Sequence, residues 1–151
     1  MAGAAGEERV RALGAEVFVD YRDPRAAQRI REAAPSGVDT YVDTSARNDL
    51  PTAVDLLAGR GRIVLLSGMN TAPTLPAGRL YVKECSIVGF AVSQASVGEL
   101  AEAAGFISRL LADGSLRPPA AHALPLSAAA EAHRLVEEGK ARGKIVLHHD
   151  G

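Results

Sequence analysis

The residues best suited to chemistry in this sequence follow a short apolar run. Four consecutive aliphatic residues, 63–66, lie between the pair Gly61 and Arg62 and the pair Ser67 and Gly68. The run is too short for a helix core, but it suits a strand buried on both faces of a parallel sheet. Ligands of α/β proteins bind in the crevice at the carboxyl edge of such a sheet. Ser67 and Gly68 are therefore candidate binding residues, although a core strand that leaves through an ordinary turn gives the same pattern.

Other catalytic and metal-binding patterns do not occur in the sequence. The histidines at positions 122, 133, 148 and 149 lack metal-ligand spacing with acidic residues or cysteines. No Gly-x-Ser-x-Gly segment is present to mark a nucleophilic serine. The single cysteine, Cys85, excludes an internal disulfide and is expected to be a small core residue. We therefore predict surface histidines, no metal site and no catalytic residue in this chain.

A phospho-accepting receiver domain is a weaker alternative. Asp20, Asp43, Ser67 and Lys83 lie near successive predicted strand ends, in an order loosely like that of a receiver. Such a site needs paired acidic residues after its first strand to hold magnesium. Here Asp20 is followed by a tyrosine and an arginine, and the chain continues beyond the elements of such a domain. These departures argue against assigning this chain to the phospho-accepting receiver domains.

Predicted helices and strands alternate along the chain. Helix starts are indicated by Asp23 before Pro24, by Ser96 with Glu99 as a capping box, and by Ser127. We predict helices at 7–13, 24–34, 48–58, 96–111 and 128–138, and strands at 15–20, 38–43, 61–68, 85–88 and 144–148. The loop at 69–78 is long enough to be a candidate binding loop, and 116–126 is expected to be an extended connection. This alternation predicts one α/β domain, residues 1–151, with a mainly parallel sheet.

Composition narrows the possible partners and location. The formal net charge of −1 over 151 residues argues against a general role on nucleic acid or on a membrane surface. The apolar runs are far shorter than a bilayer span, and no signal peptide is expected after Met1. A single cysteine is compatible with a reducing compartment. A cytoplasmic protein is the expectation from these properties.

Several short motifs occur in a characteristic order. They are residues 11–15, 20–22, 37–39 with Asp43, 61–62 with 66–68, 83–89, 125–126, 129–133 and 139–147. In this order and spacing they resemble the cofactor domain of medium-chain dehydrogenase/reductases. The branch they resemble is the quinone oxidoreductase (zeta-crystallin-like) one, with its zinc-binding-dehydrogenase-type C-terminal region. The resemblance covers almost the whole chain from Arg9 onward and corresponds to about the last half of a family member.

The resemblance implies a Rossmann-like α/β fold that is incomplete at its N-terminal side. The family's first strand and Gly-rich phosphate turn lie upstream of the helix that begins at Glu7, and so does its N-terminal catalytic domain. Residues 2–6 contain glycines, but no strand precedes them, so they do not form a dinucleotide-binding fingerprint. The strand at 15–20 is then expected to lack its neighbouring strands and to expose an edge.

The resemblance also implies an activity, NAD(P)H-dependent reduction of a quinone or enone, with hydride transfer carried out by the nicotinamide. A small carbonyl or quinone substrate is expected to bind only if a catalytic domain is supplied. This chain alone is therefore not expected to catalyse the reduction. NADP(H) is favoured over NAD(H), and no zinc is expected in this chain. The cofactor-binding residues carried over from the family are Tyr21, Arg22, Thr44, Ser45, Ser67, Gly68, Met69, Gly89, Phe90, Ala91 and Lys144.

Two departures from the family pattern concern the cofactor. The family's usual basic residue in the first helix falls near Gly6, which is followed by Glu7 and Glu8, and this weakens the case for NADP(H). A Val-Gly or Gly-Gly pair usually follows the strand that ends at Asp43, and here residues 46–47 are Ala-Arg. Arg47 can either narrow the groove or bind phosphate, and the sequence leaves both possibilities open.

A non-catalytic association module is the alternative function. In the family, the strand corresponding to residues 85–88 commonly pairs across a dimer and extends the sheet. The same half-domain can therefore serve for homodimerisation without cofactor chemistry. Detectable NADPH binding separates the two interpretations.

Overall fold

The computed structural model describes residues 6–118, 121–141 and 143–149, and helices alternate with parallel strands along them. The chain divides into two compact units, Met1–Gln94 and Ala95–Gly151. The helices are α1 (Glu7–Ala12), α2 (Ala26–Ala33), α3 (Leu50–Leu56), α4 (Ala77–Val82), α5 (Val97–Ala112) and α6 (Ala129–Glu137). The strands are β1 (Val38–Asp43), β2 (Leu57–Leu65), β3 (Ser86–Gly89), β4 (Ala121–Pro125) and β5 (Lys144–His148).

All the strand pairs are parallel. The first unit contains a three-stranded sheet in the order β1-β2-β3, in which Tyr41, Ile63 and Ile87 are register partners. In the second unit β4 pairs with β5, with Ala123 opposite Val146. The predicted α/β class with mainly parallel strands is confirmed.

The core of the first unit lies between this sheet and helix α3. Leu50, Ala53 and Val54 of the helix pack with Leu57 and Ile63 of β2, and each of these side chains is buried. Parallel strands usually bury both of their faces. The opposite face of this sheet carries a row of three register partners, Val42, Val64 and Val88, which we call the valine row. Val42 is 55% exposed and Val88 44%, so the sheet is covered mainly on the α3 side.

The predicted strand at 15–20 is wrong. Within the described chain, this segment is extended but makes only an isolated bridge at Asp20. Phe18 and Val19 are nevertheless buried, at 7% and 4% exposure. The apolar run therefore indicated burial correctly. A strand also needs a neighbouring backbone to complete its ladder of hydrogen bonds.

The boundary between α3 and β2 also differs from the prediction. The helix ends at Leu56, and Gly59, expected to terminate it, lies inside β2. Val38 pairs with Leu57 whereas Thr40 pairs with Arg62, so β2 bulges outward between these pairs. The bulge is stabilised by a hydrogen bond from Arg60 N to Lys83 O, 2.8 Å long. Such a bulge depends on tertiary contacts that helix periodicity does not encode.

Several other predicted boundaries shift for local reasons. Helix α2 begins at Ala26 because the Asp23 carboxylate accepts a hydrogen bond from Arg25 N (2.8 Å) and so forms a turn first. Cys85 precedes β3, and its thiol donates to Ala58 O at 3.3 Å. A 3₁₀ turn, Leu126–Ala128, precedes α6, so Ala128 rather than Ser127 is the N-cap residue. The capping box of Ser96 and Glu99 on α5 is confirmed.

Strand β4 was expected to be an extended connection without strand partners. It pairs instead along its whole length with β5, from Ala121 opposite Lys144 to Pro125 opposite His148. The pairing joins residues more than twenty positions apart, which local propensity cannot anticipate. In the part of the chain that the structure describes, no helix combines the length and apolar character needed to cross a membrane.

Candidate functional site

The loop after β1 is organised by a buried carboxylate. Asp43 is 6% exposed and accepts hydrogen bonds from Ser45 N (2.7 Å) and from Ser45 Oγ (2.6 Å). Ser45 Oγ in turn accepts from Arg47 N at 3.1 Å. An aspartate that bonds to the backbone two residues ahead forces a tight local turn. Thr44 and Ser45 are therefore displayed at the carboxyl end of β1, as predicted from their position.

The loop after β2 is joined to this first loop by side-chain bonds. Ser67 Oγ accepts from Ala46 N at 2.9 Å. Asn48 Nδ2 donates to Ser67 O (3.1 Å) and to Thr71 Oγ1 (2.7 Å), and Thr71 Oγ1 donates to Gly68 O (2.7 Å). Residues 44–48 and 67–71 thus form one hydrogen-bonded assembly, which we call the paired exit loops.

Gly68 is required in the paired exit loops for two reasons. Its φ of +99° lies in the left-handed region that favours glycine. A Cβ atom there would also collide with the side-chain amide of Asn48 and lie 2.9 Å from Thr71 Oγ1. The next residue, Met69, is 96% exposed and is free to contact a ligand. Ser67, Gly68 and Met69 are therefore held at the carboxyl edge of the sheet.

A cleft of about 980 Å³ opens beside β1 in the first unit. One wall consists of residues 16–24 and helix α2, and the other consists of β1 and the loop that follows it. Among the predicted site residues, Tyr21, Thr44 and Ser45 line this cleft, together with Arg47. Its volume is in the range of small-molecule and cofactor sites.

Two arginines lie near the ring of Tyr21, and of these Arg47 lines the cleft whereas Arg22 does not. The guanidinium carbon of Arg22 lies 5.2 Å from the centroid of the Tyr21 ring, and that of Arg47 lies 5.6 Å away. Arg22 Nε also donates to the Tyr21 hydroxyl at 3.1 Å. This hydrogen bond, followed by the charges of Tyr21 and Asp20, raises the pKa of Arg22. Neither arginine forms an ion pair with the residues that the structure describes, so both are available to an anion.

The remaining predicted site residues lie elsewhere. Gly89 ends β3, and Phe90 N donates to Leu65 O at 3.1 Å, which places 89–91 beside the exit of β2. Phe90 is 56% exposed and does not line the cleft. Lys144 begins β5 in the second unit and is exposed. A cofactor role for these residues stays a prediction.

Sequence reasoning missed two members of the paired exit loops. Asn48 was assigned to the start of a helix, but Asp49 caps α3 through its bond from Thr52 N (3.2 Å). Thr71 was placed only within a candidate binding loop. A signal was available in the run Arg47, Asn48, Asp49, in which two residues compete for one helix start.

Metal binding finds no support in the residues present. Groups of three or more histidine, cysteine, aspartate or glutamate residues able to hold a metal ion are absent from the described ranges. The thiol of Cys85 is engaged with backbone carbonyls of Ala58 and Lys83. The described residues therefore offer no set of ligands to which a zinc-dependent reaction step could be assigned.

Comparison with known proteins establishes the family. A family profile described as "Zinc-binding dehydrogenase" matches residues 13–147, so this chain belongs to the zinc-binding dehydrogenase family. Mouse quinone oxidoreductase is 26% identical over 96% of this chain and 46% of its own length. The NADP-dependent oxidoreductase RED1 of Cochliobolus heterostrophus is 29% identical over 89% of this chain and 41% of its own length.

A solved structure agrees with this assignment. The crystal structure of an NAD-dependent alcohol dehydrogenase is 34% identical, with a TM-score of 0.74 over 97% of this chain and 42% of that chain. The chain thus spans less than half the length of these relatives. The recognition of a quinone oxidoreductase-like member of the medium-chain dehydrogenase/reductases is confirmed, and both curated relatives named above are oxidoreductases.

Proposed function

We propose that this chain supplies part of the nicotinamide-dinucleotide site of an oxidoreductase that reduces quinones, enones or similar conjugated carbonyl compounds. When bound, the cofactor supplies the hydride, and the residues described above bind and orient it. Because the named relatives are more than twice as long, turnover is proposed to need a catalytic domain in addition to these residues. A cytoplasmic location belongs to the same proposal and is supported by the unpaired Cys85.

One observation carries this proposal, the arrangement of the paired exit loops. Thr44 and Ser45 follow β1, and Ser67 and Gly68 follow β2, so the two pairs lie at adjacent carboxyl ends of a parallel sheet. That edge is where open α/β folds bind their ligands. The neighbouring cleft offers a volume suited to a nucleotide. Tyr21, Thr44, Ser45, Ser67, Gly68 and Met69 are the residues we propose to contact the cofactor.

The choice between cofactors is proposed to favour NADP(H). Arg22 and Arg47 each place a guanidinium group within 6 Å of the Tyr21 ring centroid, and neither has a carboxylate partner among the described ion pairs. A 2′-phosphate pairs its negative charge with such groups through charge-assisted, often bidentate hydrogen bonds, whereas the neutral 2′-hydroxyl of NAD(H) offers a single weaker acceptor. Arg47 is therefore proposed to bind phosphate rather than to narrow the groove.

A titration with reduced cofactors tests the proposal. We expect NADPH fluorescence to change on binding, with NADH binding more weakly. Arg22→Ala is expected to weaken NADPH binding about tenfold, since it removes a charge-assisted bond, and to leave NADH binding unchanged. Arg31→Ala, on the exposed surface of α2, is the matched control. Equal affinity of Arg22→Ala and the unmodified protein for NADPH would contradict the phosphate assignment, and no binding of either cofactor would contradict the function.

The second candidate, an association module, has one favourable observation. Strand β3 is the last strand of its sheet, so one of its edges is not paired within that sheet. Unpaired strand edges can pair with a second chain. Sedimentation over a range of concentrations tests this candidate. A dimer that binds neither NADPH nor NADH favours the module, and a monomer that binds NADPH excludes it as the main function.

A further inference from the structure

Asn48 occupies an unusual position in the paired exit loops. Its side chain is 4% exposed, and its two amide hydrogens are both donated to the second loop, to Ser67 O and to Thr71 Oγ1. Its carbonyl oxygen, Oδ1, is buried and has no hydrogen-bond partner among the described residues. Buried polar atoms are nearly always satisfied, so an unsatisfied oxygen calls for a physical explanation.

The backbone around Asn48 is strained as well. Asn48 has a φ of +51°, and Ala46, two residues earlier, has a φ of +59°. Left-handed conformations of residues other than glycine persist only where surrounding interactions impose them, and they cluster at functional sites. Here the imposing interactions are the bond from Ala46 N to Ser67 Oγ and the two bonds from the Asn48 amide.

Helix formation does not account for this arrangement. Asp49 caps α3, and Leu50, Ala53 and Val54 attach the helix to the core. The backbone carbonyl of Asn48 accepts from Leu50 N at 2.8 Å at the start of the helix. Its side chain makes no bond to the helix, and both bonds that the side chain donates cross to the loop after β2. The absence of a side chain at Gly68 provides the space for the amide.

We propose that Asn48 is a positioning residue, which holds Ser67, Gly68 and Met69 against the loop after β1 so that both loops meet the cofactor as one rigid wall. This role rests on the proposed function, because it concerns the same cofactor site. Asn48 itself does not touch the cofactor. It acts by keeping in place the part of the wall that meets the nicotinamide half of the cofactor. Tyr21 and Arg22 bind the adenosine half of the cofactor independently of Asn48.

Comparing the affinities for NADPH and for its fragment 2′,5′-ADP separates a positioning role of Asn48 from a general role in folding. Asn48→Leu keeps the branching at Cγ but removes both donors, and Asn48→Asp keeps Oδ1 and replaces the donating amide nitrogen by a second oxygen. Both variants are expected to bind NADPH about tenfold more weakly. Their affinity for 2′,5′-ADP, which contains only the adenosine side, is expected to stay the same. Asn70→Ala, in the same loop and exposed, is the matched control.

Amide hydrogen exchange provides a second readout that needs no cofactor. In Asn48→Leu we expect faster exchange at Ala46 N and Thr71 N, while the amide of Ile63 in the core keeps its protection. Unchanged NADPH affinity together with unchanged exchange overturns the positioning role. Equal loss of NADPH and 2′,5′-ADP binding also overturns it, because that pattern indicates a folding defect. If the unmodified protein binds neither ligand, the proposed function fails, and the positioning role fails with it.

Discussion

At the scale of single residues, Lys83 shows how one side chain can join elements far apart in sequence. Its ammonium group donates to Val54 O (3.0 Å), Asp55 O (3.1 Å) and Leu57 O (2.7 Å). These carbonyls lie at the end of α3, where the helix leaves acceptors without intrahelical partners. A cation there also interacts favourably with the helix dipole. Lys83 was considered above only as a strand-end residue of a receiver site, and the structure instead gives it a stabilising role.

Lys83→Met is predicted to lower the free energy of unfolding by about 2 kcal/mol, since three partly buried carbonyls lose a charged donor. Denaturation in urea, followed by circular dichroism, measures the loss. Lys140→Met is the control, because Lys140 is exposed and its ion pair among the described residues is a surface contact with Glu138, which is expected to contribute about 0–1 kcal/mol. Equal losses in the two variants would contradict the assignment.

At the scale of elements, helix α5 has a hydrogen-bonded carboxylate at each end, one in its capping box and one in the turn that follows it. Glu99 accepts from Ser96 N (2.8 Å) and from Ser96 Oγ (2.7 Å), and these bonds lower the pKa of Glu99. At the other end, Asp113 accepts from Ser115 N at 2.8 Å, and hydrogen bonding with Ser115 lowers the pKa of Asp113. Both carboxylates favour the folded helix only in their ionised form.

The helix is therefore predicted to lose stability in acid. A carboxylate whose pKa is lower in the folded state contributes its full stabilisation above its unfolded pKa and loses it as the pH falls through the lower folded pKa. NMR titration of the Glu99 side chain, compared with a short peptide, should show this lower pKa. In Glu99→Gln, the loss of stability at low pH should be smaller, because the contribution of the Glu99 carboxylate to that loss is removed. A pKa equal to that of the peptide would contradict the prediction.

At the scale of the whole molecule, the sheet of the first unit is buried on one face and largely open on the other. Ile63 is fully buried against α3, whereas Val42 and Val88 of the valine row are about half exposed. Exposed apolar patches favour association in solution. Residues on the α3 face of this sheet, such as Ile63, are therefore expected to determine its stability. The valine row on the opposite face is expected to affect solubility.

The two faces are predicted to respond oppositely to substitution. The double variant Val42→Thr, Val88→Thr should unfold at nearly the same denaturant concentration as the unmodified protein and should self-associate less, as measured by light scattering. Ile63→Ala should lose about 2–5 kcal/mol, because it leaves a cavity in the core. A large loss of stability in the threonine variant would mean that the valine row is covered in solution.

Much of the candidate site follows from order along the chain. The apolar runs before Asp43 and before Ser67 predict two neighbouring parallel strands, and the residues after them must then lie at one edge of the sheet. The bonds of Asn48 to Ser67 and Thr71 could not be predicted in this way. They join positions 19 and 23 residues apart and depend on a left-handed backbone at Asn48, which asparagine tolerates but which nothing in its neighbouring sequence specifies.

The sequence by itself determined the α/β class, the family, the α5 capping box and the two strand ends that we propose as the cofactor site. Each of these depends on local periodicity, on capping preferences or on the order of short motifs. The tertiary structure alone decided that residues 15–20 form no strand, that β2 bulges opposite β1, that β4 pairs with β5, and that the two exit loops are joined through Asn48. Each of these outcomes depends on whether a distant backbone or side chain supplies the hydrogen-bond partner, and local propensity carries no information about such partners.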